Sequence, residues 1–136
     1  MSSQVMTNVM QPVNMFYEVY NEHKMDLWEK TMAEDYQAHV NGQLIPNRDI
    51  GKGFVEALHT AFPNLKYTLE DTIIQGDKVI TRWTAAGRHT GDFFGTPPTN
   101  KNVTMLGITI FRVRNNKIAE LWDVWDQNGL MQQLAN

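Results

Sequence analysis

Helices first and strands afterwards predict an α+β fold, with N-terminal helices packed on a strongly curved antiparallel sheet that forms a cone around an internal pocket. Two observations carry that prediction. Up to Pro63 the apolar residues recur every three or four positions, and past it they alternate between turn residues. The strands then bring Trp83, Phe111, Leu121 and Trp125, too much apolar surface for a sheet with one wet face. A bent sheet can fold such side chains into a pocket of its own.

The elements follow in order. Val9, Val13, Phe16, Tyr17 and Tyr20 form one helical stripe. Pro12 removes an internal hydrogen bond, so that helix is expected to start or kink near it. Met25, Leu27, Trp28 and Met32 suggest a short second helix. Tyr36 to Val40 and Gln43 to Ile45 flank Asn41-Gly42, a favoured two-residue hairpin turn. A third helix runs from about Asp49 to Phe62, and Pro63 stops it. Strands are expected at Leu65 to Ile74, Lys78 to His89, Val103 to Val113 and Ile118 to Trp125. The loop from Thr90 to Asn102 is rich in Gly, Pro and Thr, and Asn128 to Leu134 reads as a closing helical turn.

Composition narrows the function classes. Residues 1–136 suit one domain, without repeat or linker. Cysteine is absent, which removes disulfides and thiolate metal sites. The net charge of -3 and scattered basic residues offer no phosphate-binding footprint, so no nucleic-acid partner is expected. No apolar run approaches the roughly 20 residues that span a bilayer, so no membrane partner is expected. The segment Met1-Ser2-Ser3-Gln4-Val5 lacks the features of a signal peptide, which makes the cytoplasm the expected location. The four histidines show no ligand spacing, so no metal site is expected.

The runs Gly87-Arg88-His89-Thr90-Gly91, Phe94-Gly95-Thr96-Pro97-Pro98-Thr99, Asn116-Lys117-Ile118 and Asp126-Gln127-Asn128-Gly129-Leu130-Met131-Gln132-Gln133-Leu134 carry a family resemblance. In that order they resemble the SnoaL-like polyketide cyclases of the nuclear-transport-factor-2-like (cystatin-like) superfamily. The resemblance covers nearly the whole chain and implies the cone fold, a homodimer formed through the open sheet face, and a small hydrophobic carbonyl ligand. It also implies a cofactor-independent cyclase closing a ring by intramolecular aldol chemistry, or a ketosteroid-isomerase-like enzyme. In those cyclases an aspartate on the last strand is the general acid/base, and the matching residue here is Asp123. Thr109 stands where a histidine assists them; a hydroxyl can give or accept a hydrogen bond but cannot exchange a proton at neutral pH as imidazole does. The fold also hosts non-catalytic ligand-binding or dimerisation modules and epoxide hydrolase-like enzymes, the latter needing an Asp-Arg-Asp arrangement.

Read from the residues, Asp123 shares a strand face with Ala119, Leu121 and Trp125. Such a carboxylate is either desolvated, with a raised pKa suited to proton transfer, or tied to an arginine such as Arg82 or Arg88. Asp126 falls on the opposite face and reads as a helix cap rather than a second catalytic acid. His39 is either a donor to a ligand carbonyl at the pocket mouth, possible together with Tyr36, or a half-buried edge-strand residue. Thr109 is a further candidate to hold the substrate oxygen. His89 could reach the pocket rim or brace the Pro-rich loop, and the bracing role is favoured. Trp83, Met105, Phe111 and Trp125 are candidate cavity-lining residues. Cationic His59 and His23 are expected near helix C-termini, where the dipole favours positive charge. No cofactor is implied by enolisation or aldol closure.

Overall fold

The computed structural model describes residues 3–136; Met1 and Ser2, part of the N-terminal segment read above, lie outside them. Helix α1 spans Ser3–Glu22 and buries Val13, Phe16, Tyr17 and Tyr20. It begins well before Pro12 and runs through it. One intrahelical hydrogen bond is lost there, partly offset because Pro12 is itself buried. The second apolar cluster makes only a 3-10 turn at Met25–Leu27 and α2 at Trp28–Thr31. Met32 already belongs to β1, Met32–Val40.

Asn41 and Gly42, with φ of 49° and 83°, turn the chain into β2, Gln43–Ile45. Helix α3 spans Arg48–Ala61, and the Asn47 side chain caps it by accepting the Ile50 N–H at 2.9 Å. An antiparallel meander follows: β3 Lys66–Gln75, β4 Lys78–Arg88, β5 Asn102–Arg114 and β6 Lys117–Trp125. Helix α4, Gln127–Ala135, closes the described chain; its cap is Asp126, which accepts the Gly129 N–H at 2.9 Å.

The six strands form one sheet in the order β2-β1-β6-β5-β4-β3. β1 lies parallel to β6, so the sheet is mixed rather than wholly antiparallel as expected. The two strands are the first and last long ones, and pairing across such a separation leaves no turn signal in the sequence. Register shifts in the β1–β6, β3–β4 and β5–β6 pairs are bulges that increase local twist and curl the sheet. On the concave side α1 crosses β3 to β6, and α3 packs on β1 and β2. No described helix is long and apolar enough to cross a membrane.

The register places three rows of side chains across that concave face. Val79, Phe111 and Leu121 lie side by side; Thr81, Thr109 and Asp123 form the next row; Trp83, Gly107 and Trp125 form the third. Phe111 is fully buried, with its ring 5.0 Å edge-on from Phe16 of α1. Val79 and Phe111 are therefore core, whereas Leu121, Thr109, Asp123, Trp83 and Trp125 face the space between sheet and helices.

Candidate active site

Between the concave face and the helices is a cavity that opens to solvent at one mouth. The sheet contributes Tyr36, Ala38, Trp83, Met105, Thr109, Leu121, Asp123 and Trp125 to its wall. From α1 come Phe16, Tyr17 and Tyr20, and from α3 Gly51, Phe54 and Leu58. A lining that is mostly apolar, with a few placed polar groups, is the kind a small-molecule site has.

Asp123 reaches the wall because β6 alternates, with Leu121 and Trp125 on the same face. It makes no ion pair among the described residues; Arg82 is engaged by Asp71 instead, on the convex face. Among the described residues its carboxylate is bonded by Thr109, whose hydroxyl donates to Asp123 Oδ1 at 2.9 Å. Burial raises the Asp123 pKa from 3.8 to about 6, against a smaller lowering by the Thr109 hydrogen bond.

Thr109 is in turn fixed by Trp83, whose indole Nε1–H donates to Thr109 Oγ1 at 3.0 Å. An indole N–H can only donate, so this contact occupies an acceptor site on Thr109 while its proton points to Asp123. Thr109 is 4% exposed and spends its hydroxyl inside the wall, which leaves the role of holding a substrate oxygen to other groups. Gly107 makes room for this arrangement. A Cβ there would stand 2.5 Å from Trp83 Cζ2 and 2.8 Å from Trp125 Cβ. Only glycine lets the Trp83 indole close over β5 beside Trp125.

Of the polar lining, sequence reasoning named Asp123, Thr109 and Tyr36 and missed Tyr17, Tyr20 and Tyr67. The chain has four tyrosines, Tyr17, Tyr20, Tyr36 and Tyr67, and all four line the cavity. The Tyr17 hydroxyl bonds Thr81 at 2.8 Å. No protein partner stands within hydrogen-bonding distance of the Tyr20, Tyr36 and Tyr67 hydroxyls among the described residues, and none of the three is sealed off from the cavity. All four phenols have raised pKa values, through burial first and with the Asp123 charge contributing to each. They are held as O–H donors. The available signal was an aromatic stripe on α1 carrying hydroxyl tips, which reads equally as core.

Other candidates fall elsewhere. His39 is on the convex face, because its neighbours Ala38 and Val40 take the concave one. It bonds Glu120 at 2.8 Å and stacks on Trp122 at 5.7 Å, so it does not meet the cavity or Tyr36. His89 is fully buried in the loop after β4, with Nδ1 accepting the Thr99 N–H at 3.2 Å. It braces the loop and does not line the cavity. Phe111 is core, as described. His59 bonds the Tyr20 carbonyl and stacks on His23 at 3.7 Å. Burial lowers the His59 pKa, against the expectation of a helix-end cation. Among the described residues neither an arginine nor a second carboxylate lines the cavity, so no Asp-Arg-Asp set is formed there. Among the described residues no three His, Asp or Glu side chains are grouped to hold a metal ion.

Helices over one side of a curled mixed sheet, with an apolar cavity between them, define a protein of the nuclear-transport-factor-2-like cone class. Within that class the chain belongs to the SnoaL-like polyketide cyclase family, whose model matches residues 11–134. Among similar solved structures is IdmH from Streptomyces antibioticus, a proposed polyketide cyclase. It is 27% identical, with a TM-score of 0.79 over 93% of this chain and 99% of that one. A proposed polyketide cyclase from Acidithiobacillus ferrooxidans is 26% identical, with a TM-score of 0.82 over 99% and 98%. A third, from Bacillus cereus ATCC 10987, is 26% identical, with a TM-score of 0.84 over 99% and 85%. No curated protein sequence matches the chain.

Proposed function

We propose that the protein is a proton-transfer enzyme acting on a small hydrophobic carbonyl compound, a cyclase or isomerase with Asp123 as general acid/base. The observation that carries this reading is an unpaired carboxylate in an apolar cavity, titrating near 6 and held by Thr109. A base with that pKa is ionised at neutral pH yet strong enough to take a proton from carbon next to a carbonyl. Charge then develops on the carbonyl oxygen, where the Tyr20, Tyr36 and Tyr67 hydroxyls are available as donors. In an isomerisation the Asp123 carboxyl returns the proton to another carbon. In an aldol closure the enolate carbon attacks a second carbonyl of the same molecule. A carbon–carbon bond forms, and the new alkoxide takes the proton from Asp123. Both routes run on proton transfer and hydrogen bonding alone.

Enolisation can be tested before the substrate is known. In D2O at pH 7 the protein is expected to speed deuterium exchange at the α-carbon of 2-tetralone, followed by NMR, and Asp123→Asn is expected to remove that acceleration. A pocket that only binds its ligand would give the same exchange with and without protein.

The convex face supports a second part of the proposal, a homodimer. Ile73, Leu106, Ile108 and Val124 are each about half exposed or more there, with Ile108 and Val124 directly paired across β5 and β6. Apolar surface gathered on an uncovered sheet face suits burial against a second copy of the chain.

A further inference from the structure

The loop between β4 and β5 carries a turn whose sequence conflicts with its geometry. Phe93 and Thr96 exchange backbone hydrogen bonds at 2.9 and 2.8 Å, which closes a two-residue turn at Phe94-Gly95. Phe94 has φ of 44° and Gly95 of 91°. Positive φ at both positions is the turn type that asparagine, aspartate or glycine satisfies at the first place. Phenylalanine pays a steric cost there. Nor is that cost offset by burial, since Phe94 is 67% exposed while Phe93 beside it is 4% exposed.

The turn is firmly held. Phe93 packs edge-on to Phe62 at 5.5 Å, and the Asp92 carboxylate accepts the Gly95 N–H at 2.9 Å. The Thr90 and Gly91 N–H groups bind the Ala61 carbonyl at the end of α3. A Cβ on Gly91 would stand 2.0 Å from the Thr60 carbonyl oxygen, so loop and helix meet backbone to backbone. This fixed base holds the Phe94 ring 6.1 Å from Phe54, stacked at 27°. Phe54 is a wall residue of the cavity and only partly buried. The strained, exposed ring thus stands beside a residue of the cavity wall without itself lining the cavity.

The geometry points to an outer aromatic subsite, in which Phe94 and Phe54 together take a flat unsaturated ring of the ligand, remote from the carbonyl end near Asp123. This inference rests on the cavity being the ligand site, as proposed above, and adds what selects the ligand's length. A ring seated there supplies the burial that Phe94 lacks in the free protein. Phe94 is accordingly a specificity residue, exposed and strained for a contact that only a ligand completes.

Two probes with one ketone end separate the possibilities: 2-tetralone, and 6-phenyl-2-tetralone, which adds a distal ring. Affinity is read by calorimetry for the wild type and Phe94→Asn. Asparagine suits the turn, so the variant is expected to melt higher than the wild type. It is expected to lose about fivefold in affinity for the phenyl probe and to stay within about twofold for 2-tetralone. Unchanged affinity of Phe94→Asn for the phenyl probe overturns the subsite. So does a wild type that binds 2-tetralone but not its phenyl derivative, and the cavity reading survives both results. A wild type that binds neither probe overturns the cavity reading and the subsite with it.

Discussion

Asp123 shows how one residue trades stability for reactivity. Its carboxyl titrates near 6 in the fold, against 3.8 for the ordinary side chain, because burial disfavours the charge. A raised acid pKa means the neutral form is favoured in the folded state. The contribution to stability is fully present below about pH 4 and is lost as pH rises through about 6. Above that range the ionised group costs the fold as much as about 3 kcal/mol. Asp123→Asn is therefore expected to raise the urea midpoint clearly at pH 8 and scarcely at pH 4. Thr109 supplies the opposing influence, since its hydrogen bond favours the ionised carboxylate. Thr109→Val is expected to move the carboxyl titration upward from 6 by about one pH unit, read by carbon NMR with Asp123→Asn as the assignment control. Thr109 thus orients and tunes Asp123, a different task from the proton exchange a histidine performs.

At the scale of elements, the site depends on one gap in β5. Gly107 lies between Trp83 and Trp125 in the sheet, and the indole that closes over it is the one that fixes Thr109. Gly107→Ala is expected to cost about 1–3 kcal/mol by overpacking, measured by denaturation, and to shift the tryptophan fluorescence as Trp83 is displaced. The meander carrying these residues was legible in the sequence, because β3 to β6 alternate and their turns carry Gly76 and Asn115-Asn116. Alternation also put Asp123 on the face of Leu121 and Trp125, and Trp83 and Met105 in the cavity wall. What escaped was what depends on distant partners. The parallel pairing of β1 with β6 decides which face His39 presents, and the passage of α1 over the sheet makes Phe111 core. The α1 phenols read as a buried stripe because a helix facing a cavity and one facing a packed core have the same periodicity.

Over the whole molecule, the sheet has two faces with different work. The concave face is folded under helices around the cavity, and the convex face leaves Ile108 and Val124 in the open. Val124→Glu, placed beside Ile108 and far from the cavity wall, is expected to convert the proposed dimer to a monomer in sedimentation velocity while the melting transition stays cooperative. A wild type that sediments as a monomer removes the dimer without touching the site. The central claim, that Asp123 moves the proton, is tested most directly by α-carbon exchange of 2-tetralone measured between pH 4.5 and 8. The expected rate for the wild type climbs with pH, bends near 6 and then levels as Asp123 becomes fully ionised, with Asp123→Asn at the buffer rate throughout. A folded Asp123→Asn variant that exchanges as fast as the wild type would contradict the account.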